Sequence, residues 1–357
     1  MKHNFAVTRR EIPKEKPNAE KLGFGLYYTD HMFMMAYRPG KGWIEGRIVP
    51  YDTLCLDPAT SVFHYGMELF EGMKAYKAKD GRVLLFRPEM NAQRANVSAD
   101  RLCFAQMDTQ LYLDAVKALV HIDRAWIPEA EGTSLYIRPF MIVDEVYLGL
   151  RPPESFLFVV ILSPVGSFYE GGFKPTKLLV EDAYTRAAPG GTGYAKVGGN
   201  YAGSIKALKK AKDMGCDQVL WLDSVEKKYI EEVGAANVFF VIDGEIITPP
   251  AGDTILNGVT RDSAIALLKK WGQRVSERSI SIDEVFQAGA EGRLEEAFTT
   301  GTATLISPIG ELVWKDSSLV INGKEVGRQA QKLYDTLYGI QTGAIEDTMG
   351  WTVEVAG

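Results

Sequence analysis

Hydrophobic positions change their period along the chain, and the changes predict its elements. In residues 111–124 (LYLDAVKALVHIDR), Leu111, Val116, Leu119, Val120 and Ile122 recur at helical rather than alternating spacing, which predicts a helix. Residues 134–143 (SLYIRPFMIV) and 155–166 (SFLFVVILSPVG) are rich in β-branched and aromatic residues and predict buried strands. Strand composition also marks 33–37, 44–49 and 83–86; the last ends at Arg87-Pro88, and a helix is expected from about Glu89 to Ala99. The second half is more regular. Residues 178–182 predict a strand, and 202–215 an amphipathic helix with Ile205, Leu208 and Ala211 on one face and Gly215 as its stop. Residues 218–223 and 228–233 predict paired strands, and 238–249 a hairpin around Asp243-Gly244. Thr260 is expected to cap a helix running to Trp271, with Gly272 ending it. Ser281-Ile-Asp-Glu284 matches a capping box, and 295–310 reads as a strand followed by a Thr/Gly-rich loop.

Strands and helices interleave, yet hairpins recur. That combination predicts an α+β fold with mixed sheets and flanking helices, not a doubly wound nucleotide fold. A chain of 357 residues exceeds one comfortable core, so two domains are expected. The Gly-, Pro- and aromatic-rich segment 166–176 is the best boundary. It implies a smaller N-terminal α+β domain over 1–165, an interdomain loop over 166–176, and a larger C-terminal domain over 177–357.

Charge and composition then remove several classes of function. The net charge is −6 and there is no basic stripe, which argues against a nucleic-acid partner. The short basic run from Lys206 to Lys212 has helical spacing and reads as a solvated helix face. No stretch of 18 apolar residues occurs, so no transmembrane helix is expected, and the first residues lack the apolar core of a secretory signal. Cys55, Cys103 and Cys216 lie far apart, which suggests reduced thiols and a cytoplasmic location. The four histidines are scattered, so no metal site is expected. Neither a glycine-rich nucleotide loop nor a G-x-S-x-G elbow is present.

A few residues are out of keeping with their surroundings. Lys196 sits in Gly193-Tyr-Ala-Lys-Val-Gly-Gly-Asn-Tyr201 with no acid close in sequence. Apolar surroundings favour a neutral lysine amine, the nucleophile of Schiff-base chemistry, although a surface loop with an incidental lysine would look similar. Glu231-Glu232 ends a strand-like run; alternation lets only one of the pair face inward, where a carboxylate needs a cation. Asn257-Gly-Val-Thr260 precedes a helix whose first N–H groups would suit a phosphate, as any capped helix start would. Gly301-Thr302-Ala303 offers N–H groups and a hydroxyl. Arg94 lies on the helix after Arg87-Pro88, and Arg138 interrupts an apolar strand, so it needs an anionic or carbonyl partner.

Read in order, these segments resemble the branched-chain amino acid aminotransferases, of the fold-type IV class that uses pyridoxal 5′-phosphate (PLP). The resemblance covers nearly the whole chain, from Phe24-Gly25 to the C-terminus. It rests on Thr29-Asp-His-Met, His64-Tyr65, Leu69-Phe-Glu-Gly-Met-Lys-Ala75, Leu85-Phe-Arg-Pro88, Tyr136-Ile-Arg138 and Ser163-Pro-Val-Gly166. It rests further on Lys196-Val-Gly-Gly-Asn-Tyr201, Glu232-Val-Gly234, Asn257-Gly-Val-Thr-Arg261 and Gly301-Thr-Ala303. No single motif decides it; ten in order are specific.

The resemblance implies a two-domain fold like that of D-amino acid aminotransferases. It implies reversible ping-pong transfer of an amino group between L-leucine, L-isoleucine or L-valine and 2-oxoglutarate. Lys196 matches the Schiff-base lysine, Tyr201 the partner of the PLP phenolic oxygen, and Glu232 the carboxylate at the ring nitrogen. Arg94, Val259, Thr260 and Thr302 match phosphate ligands, and Arg186 an arginine near the cofactor. Phe24, Tyr65, Phe70 and Tyr136 match the aromatic walls of the side-chain pocket, and Arg138 the residue that receives the distal carboxylate of glutamate. Thr302 and Ala303 match the loop that binds the α-carboxylate. The 148–150 loop, with Leu148 and Leu150, matches a segment that enters the partner's pocket, so a homodimer is implied.

Three departures stand out. Thr304-Leu-Ile-Ser307 replaces the CxxC pair of mammalian relatives, Ala235-Ala236 stands where many relatives carry a threonine, and Phe168 stands where some have a tyrosine, with Tyr169 beside it. The nearest rivals are a D-amino acid aminotransferase and an aminodeoxychorismate lyase, which share the lysine and glutamate; Tyr65, Phe70 and Tyr136-Ile-Arg138 favour the branched-chain reading.

Overall fold

The computed structural model describes residues 2–166 and 173–356. In chain order the elements are β1 (Ala6–Val7), β2 (His31–Arg38), β3 (Gly42–Pro50), α1 (Ser61–Tyr65), β4 (Glu68–Phe70), β5 (Met73–Lys77), β6 (Val83–Phe86), α2 (Pro88–Arg101), α3 (Thr109–Ile122), β7 (Ser134–Val143) and β8 (Phe156–Val165). They continue with β9 (Thr176–Glu181), α4 (Gly198–Ala202), α5 (Ile205–Asp213), β10 (Gln218–Leu222), β11 (Ile230–Val233), β12 (Ala236–Ile242) and β13 (Glu245–Thr248). The last are α6 (Val259–Lys270), β14 (Arg274–Glu277), α7 (Ile282–Ala290), β15 (Leu294–Gly301), β16 (Leu305–Trp314), β17 (Ser317–Val320), α8 (Arg328–Gln341) and β18 (Thr352–Glu354).

The chain forms two compact units. The first comprises Met1–Phe168, Ala195–Gly198 and Gly339–Gly357; the second comprises Tyr169–Tyr194 and Gly199–Tyr338. This differs from the expected division in two places. Residues 195–198 belong to the first unit because Ala195 and Val197 are buried in its core and Val197 bridges Leu69 of β4. The end of the chain joins it too, because β18 pairs antiparallel with β6 and Trp351 packs edge-on against Phe86. Residues 167–172, which carry most of the expected 166–176 connection together with Phe168 and Tyr169, lie outside the described residues.

In the first unit one sheet runs β1-β3-β2-β8-β7-β5-β6-β18, and β4 adds to β7 beyond the end of β5. β4 and β5 are two pieces of one edge along β7, broken at Glu71-Gly72 opposite Pro139. Proline has no N–H to continue a ladder, and here its carbonyl alone takes part, accepting from Glu71 N at 2.7 Å. Helices α2 and α3 cover one sheet face, burying Ala92, Ala95, Ala99, Val116, Leu119 and Val120 against Leu69, Met73, Ile137 and Met141. Asp108 caps α3 by accepting from Leu111 N.

In the second unit the sheet closes on itself. The order β11-β10-β9-β16-β15-β12 is completed by pairing of β11 with β12, and β13, β14 and β17 attach outside this six-stranded ring. Its core gathers Leu178, Leu220, Leu222, Val238 and Phe240 with Ile282, Val285 and Ala288 of α7. At Ser281 only the serine half of the expected capping box forms: its hydroxyl accepts from Glu284 N at 3.0 Å, while the Glu284 carboxylate pairs with Arg278. Thr260 behaves otherwise. The N-cap of α6 is Gly258 and Thr260 lies inside the first turn, so the helix starts without a side-chain cap.

Candidate active site

Strand alternation decides which side chains of the first unit can meet. Leu69, Met73, Ile137, Met141 and Val197 turn to the buried core, so their neighbours in sequence turn to the opposite face. That face carries Phe70, Lys74, Tyr136, Arg138 and Lys196. Phe70 is its centre: the Lys196 Nζ lies 4.9 Å and the Arg138 guanidinium 4.7 Å from its ring. Arg138 Nη2 donates to the Tyr136 hydroxyl at 3.0 Å, and Phe24 meets the Tyr136 ring edge-on at 5.0 Å. Five of the expected residues therefore converge on one patch. Two buried polar atoms there, Arg138 Nε and Ser163 Oγ, have no hydrogen-bond partner; Ser163 sits directly opposite Tyr136 in the ladder. Orphaned donors on a concentrated aromatic patch are what a polar ligand would satisfy.

Gly72 is required here. A Cβ at this position would stand 2.2 Å from the Tyr136 hydroxyl oxygen, so any side chain would displace the tyrosine from Arg138.

Lys196 is held by its backbone. Its carbonyl accepts from Phe70 N at 3.0 Å, and its N–H donates to Ser98 Oγ at 2.8 Å. Arg94 lies one turn before Ser98 on α2, and its fork grips the buried Glu71: Nε to Oε1 and Nη2 to Oε2, both at 2.8 Å. Asn91 Nδ2 adds a third bond to Oε2 at 2.8 Å. Burial alone would push the Glu71 carboxyl up, but the Arg94 guanidinium, Lys196 and Asn91 outweigh it and hold it below the usual carboxylate range. Lys74, on the same face as Tyr136, has its ammonium pushed down to about 8 by burial.

Tyr65 and Leu148 form a separate pair, the tyrosine hydroxyl donating to the Leu148 carbonyl. Both are exposed, as is Leu150.

The second unit gathers a different set. Glu232 Oε2 lies 3.2 Å from Arg186 Nε, and Oε1 accepts from Leu256 N at 2.9 Å and Asn237 Nδ2 at 3.3 Å. Asn237 also donates to the Leu256 carbonyl at 2.9 Å. The stretch from Leu256 runs directly into Val259 and Thr260 at the start of α6, so Glu232 and that helix start are fixed to each other. Gly258 permits it, because a Cβ there would stand 2.2 Å from Asn237 Oδ1. Tyr201 lies on the short α4, and Thr302 and Ala303 form the β15–β16 turn. Beside that turn, Thr300 pairs with Asn237, and its buried hydroxyl has no partner.

Alternation did not exclude Glu231 as expected. Both glutamates are buried, at 5% and 2% exposure, because both faces of β11 are covered. Burial pushes the Glu231 carboxyl up, against a hydrogen bond from Thr254 and the nearby Arg186. Glu71, Asn91, Ser98 and Asn237 were not singled out from the sequence. Asn91, Ser98 and Asn237 are polar residues in a helix or strand and Glu71 lies at the break between β4 and β5, and only tertiary pairing reveals their partners.

Known proteins resolve what this arrangement belongs to. The family model of amino-transferase class IV matches residues 68–312, well over half the chain. The chain belongs to the class IV aminotransferases. Branched-chain-amino-acid aminotransferase 2 of Bacillus subtilis (strain 168) is 56% identical over 355 residues, spanning 99% of this chain and 98% of that protein. Branched-chain-amino-acid transaminase 1 of the same organism is 51% identical, with 96% of each covered. Among solved structures, the branched-chain amino acid aminotransferase of Escherichia coli superposes with a TM-score of 0.77 at 26% identity, covering 91% of this chain and 99% of that one. The T.th. branched-chain amino acid aminotransferase, solved with pyridoxamine 5′-phosphate, gives 0.76 at 26% identity, covering 91% and 98%. This class IV aminotransferase thus has the fold-type IV architecture, with mixed sheets and flanking helices. No helix among its described residues is long and apolar enough to cross a membrane.

Proposed function

We propose that the chain is a branched-chain-amino-acid aminotransferase, passing the amino group between L-leucine, L-isoleucine or L-valine and 2-oxoglutarate with PLP carried by Lys196. The observation that carries this reading is the patch at Phe70. It sets the Lys196 amine and an arginine with an unsatisfied donor within 5 Å of one aromatic ring, at 4.9 Å and 4.7 Å from its centre.

Within the second unit the donor chemistry fits PLP: a buried carboxylate is joined to a helix start that no side chain caps. When bound, PLP supplies an electron sink for proton removal at the α-carbon of the amino acid. In this reading Lys196 holds the cofactor and moves the proton. Glu232, paired with Arg186, faces the ring nitrogen, and Tyr201 holds the phenolic oxygen. Arg94, Val259, Thr260 and Thr302 hold the phosphate through N–H groups, a guanidinium and hydroxyls.

Phe24, Tyr65, Phe70 and Tyr136 wall the pocket and take the branched side chains by burial, at roughly 25 cal/mol per Å² of apolar surface. Arg138 takes the distal carboxylate of glutamate by charge-assisted hydrogen bonds, so one pocket serves both partners of the exchange. Thr302 and Ala303 bind the α-carboxylate. Leu148 and Leu150, exposed in the single chain, enter the pocket of a second copy in a homodimer, and the enzyme works in the cytoplasm.

The test is a panel of amino donors against 2-oxoglutarate, with absorbance near the visible edge followed in wild type and Lys196→Ala. Leucine, isoleucine and valine are the expected donors, and the absorbance is lost in the variant. A wild type that binds no PLP, or that accepts D-alanine alone, would sink the reading.

A further inference from the structure

The lysine proposed to carry the cofactor lies in a Gly-rich segment, where its backbone would be poorly determined without outside support. Part of that support comes from one hydroxyl. Ser98 is fully buried in α2. Its Oγ donates to the Arg94 carbonyl one turn back at 3.1 Å, and its lone pair accepts the Lys196 N–H at 2.8 Å. The donated bond fixes the rotor, so the lone pair is aimed at one place. On the other side, Phe70 N holds the Lys196 carbonyl at 3.0 Å, and Val197 bridges Leu69. Ala195 and Val197 turn into the core on either side of it. The lysine is thereby forced to the opposite face, with Nζ over the Phe70 ring.

Helix α2 does a second job within the same turn. Arg94, whose carbonyl Ser98 bonds, has its guanidinium fixed by Glu71, which Asn91 also holds. One helix turn thus ties the phosphate-type arginine to the backbone of the reactive-type lysine.

We propose that Ser98 is a positioning residue for Lys196. Through its hydroxyl, α2 sets where the amine stands relative to Arg94, and the reaction depends on that placement. This rests on the function proposed above. Displacing a reacting group by about 1 Å costs on the order of 100-fold in rate when the geometry is otherwise preorganised. Losing one of the two backbone anchors should cost part of that.

The experiment compares Ser98→Ala and Ser98→Thr with wild type as holoenzymes. Alanine removes the acceptor but suits a helix interior; threonine keeps a hydroxyl. Three quantities are read: the pH midpoint of the bound cofactor's absorbance, kcat and KM for leucine, and amide hydrogen exchange across 195–198. In Ser98→Ala the midpoint moves by about half a unit or more, since it reports how the amine is held. Its kcat falls about 10-fold with KM within about twofold, as expected when transition-state alignment and not binding is lost, and amide exchange quickens. Ser98→Thr recovers most of the midpoint and kcat. The proposal is overturned if Ser98→Ala keeps the wild-type midpoint and kcat. It is overturned equally if alanine and threonine are impaired alike, which would trace the effect to packing. A wild type without an absorbance that Lys196→Ala removes would overturn the functional reading and this inference together. Wild-type absorbance with an unaffected Ser98→Ala overturns only the inference.

Discussion

Removing Glu71 should be among the most damaging single changes in the first unit. Its side chain is 1% exposed and its carboxylate accepts two bonds from Arg94 and one from Asn91, all at 2.8 Å, with its own Gly72 N at 3.2 Å. Glu71→Ala leaves the Arg94 guanidinium, only 11% exposed, without its carboxylate, and it takes from Asn91 its charged acceptor. Breaking a buried pair by deleting one partner costs about 3–5 kcal/mol. For a unit of this size that corresponds to a drop of roughly 6–20 °C in melting temperature. The assay is urea and thermal unfolding of the cofactor-free protein, following the transition of the first unit.

The pH dependence gives a second handle. The folded carboxyl titrates below its unfolded value, so its stabilisation is present above the unfolded pKa of about 4.3 and is lost as pH falls through the folded pKa. The gap between wild type and Glu71→Gln should therefore be widest near neutrality and close in acid. An alanine variant within about 1 kcal/mol of wild type at pH 7.5 would refute the claim that this pair is buried and mutually dependent.

Other outcomes follow from the same geometry. Arg138→Ala should lower kcat/KM for glutamate by about 10- to 100-fold, the value of one or two charge-assisted bonds, while leucine changes little; equal losses for both would remove the role given to Arg138. Gly72→Ala should push the Tyr136 hydroxyl off Arg138. Steady-state kinetics should then show glutamate weakened more than leucine, and an unchanged glutamate KM would mean the hydroxyl is not needed. Glu231→Gln should raise the melting temperature at pH 8. The fold holds the Glu231 carboxyl protonated to higher pH than the unfolded chain does, so ionising it costs stability as pH rises, and the advantage of glutamine should vanish below about pH 4. A glutamine variant that melts lower than wild type at pH 8 would contradict that sign.

The strongest patterns were legible in the sequence. Residues 134–143 form β7 with those same limits, the 111–124 helix is α3 shifted by two residues, and the Asp243-Gly244 hairpin joins β12 to β13. Each is specified locally, by period or by turn chemistry. Elements that depend on distant partners were not legible. The 68–70 and 73–77 strands are short and interrupted, and they exist because β7 pairs with both. Residues 352–354 form a strand only against β6. The site divides in the same way. Lys196, Arg138 and the Glu231-Glu232 pair could be picked out because each departs from its local pattern, and the family resemblance then chose Glu232 from the pair. Ser98 and Asn91 violate nothing, since a serine or asparagine in a helix looks solvent-facing until the fold supplies Lys196 N and Glu71. Glu231 was misjudged because alternation says which way a side chain points, not whether that side is covered.

The first unit is visited three times by the chain, the last time by β18. During synthesis this has a consequence. A ribosome that has delivered everything up to β17 has still not supplied the strand that covers the outer edge of β6. The nascent first unit therefore waits with an open β-edge while the whole second unit is made, and such an edge invites pairing with another chain. A gene fragment ending near residue 165 should carry the same open edge and should be recovered largely as aggregate. Supplying residues 339–356 as a separate peptide would offer it the missing strand.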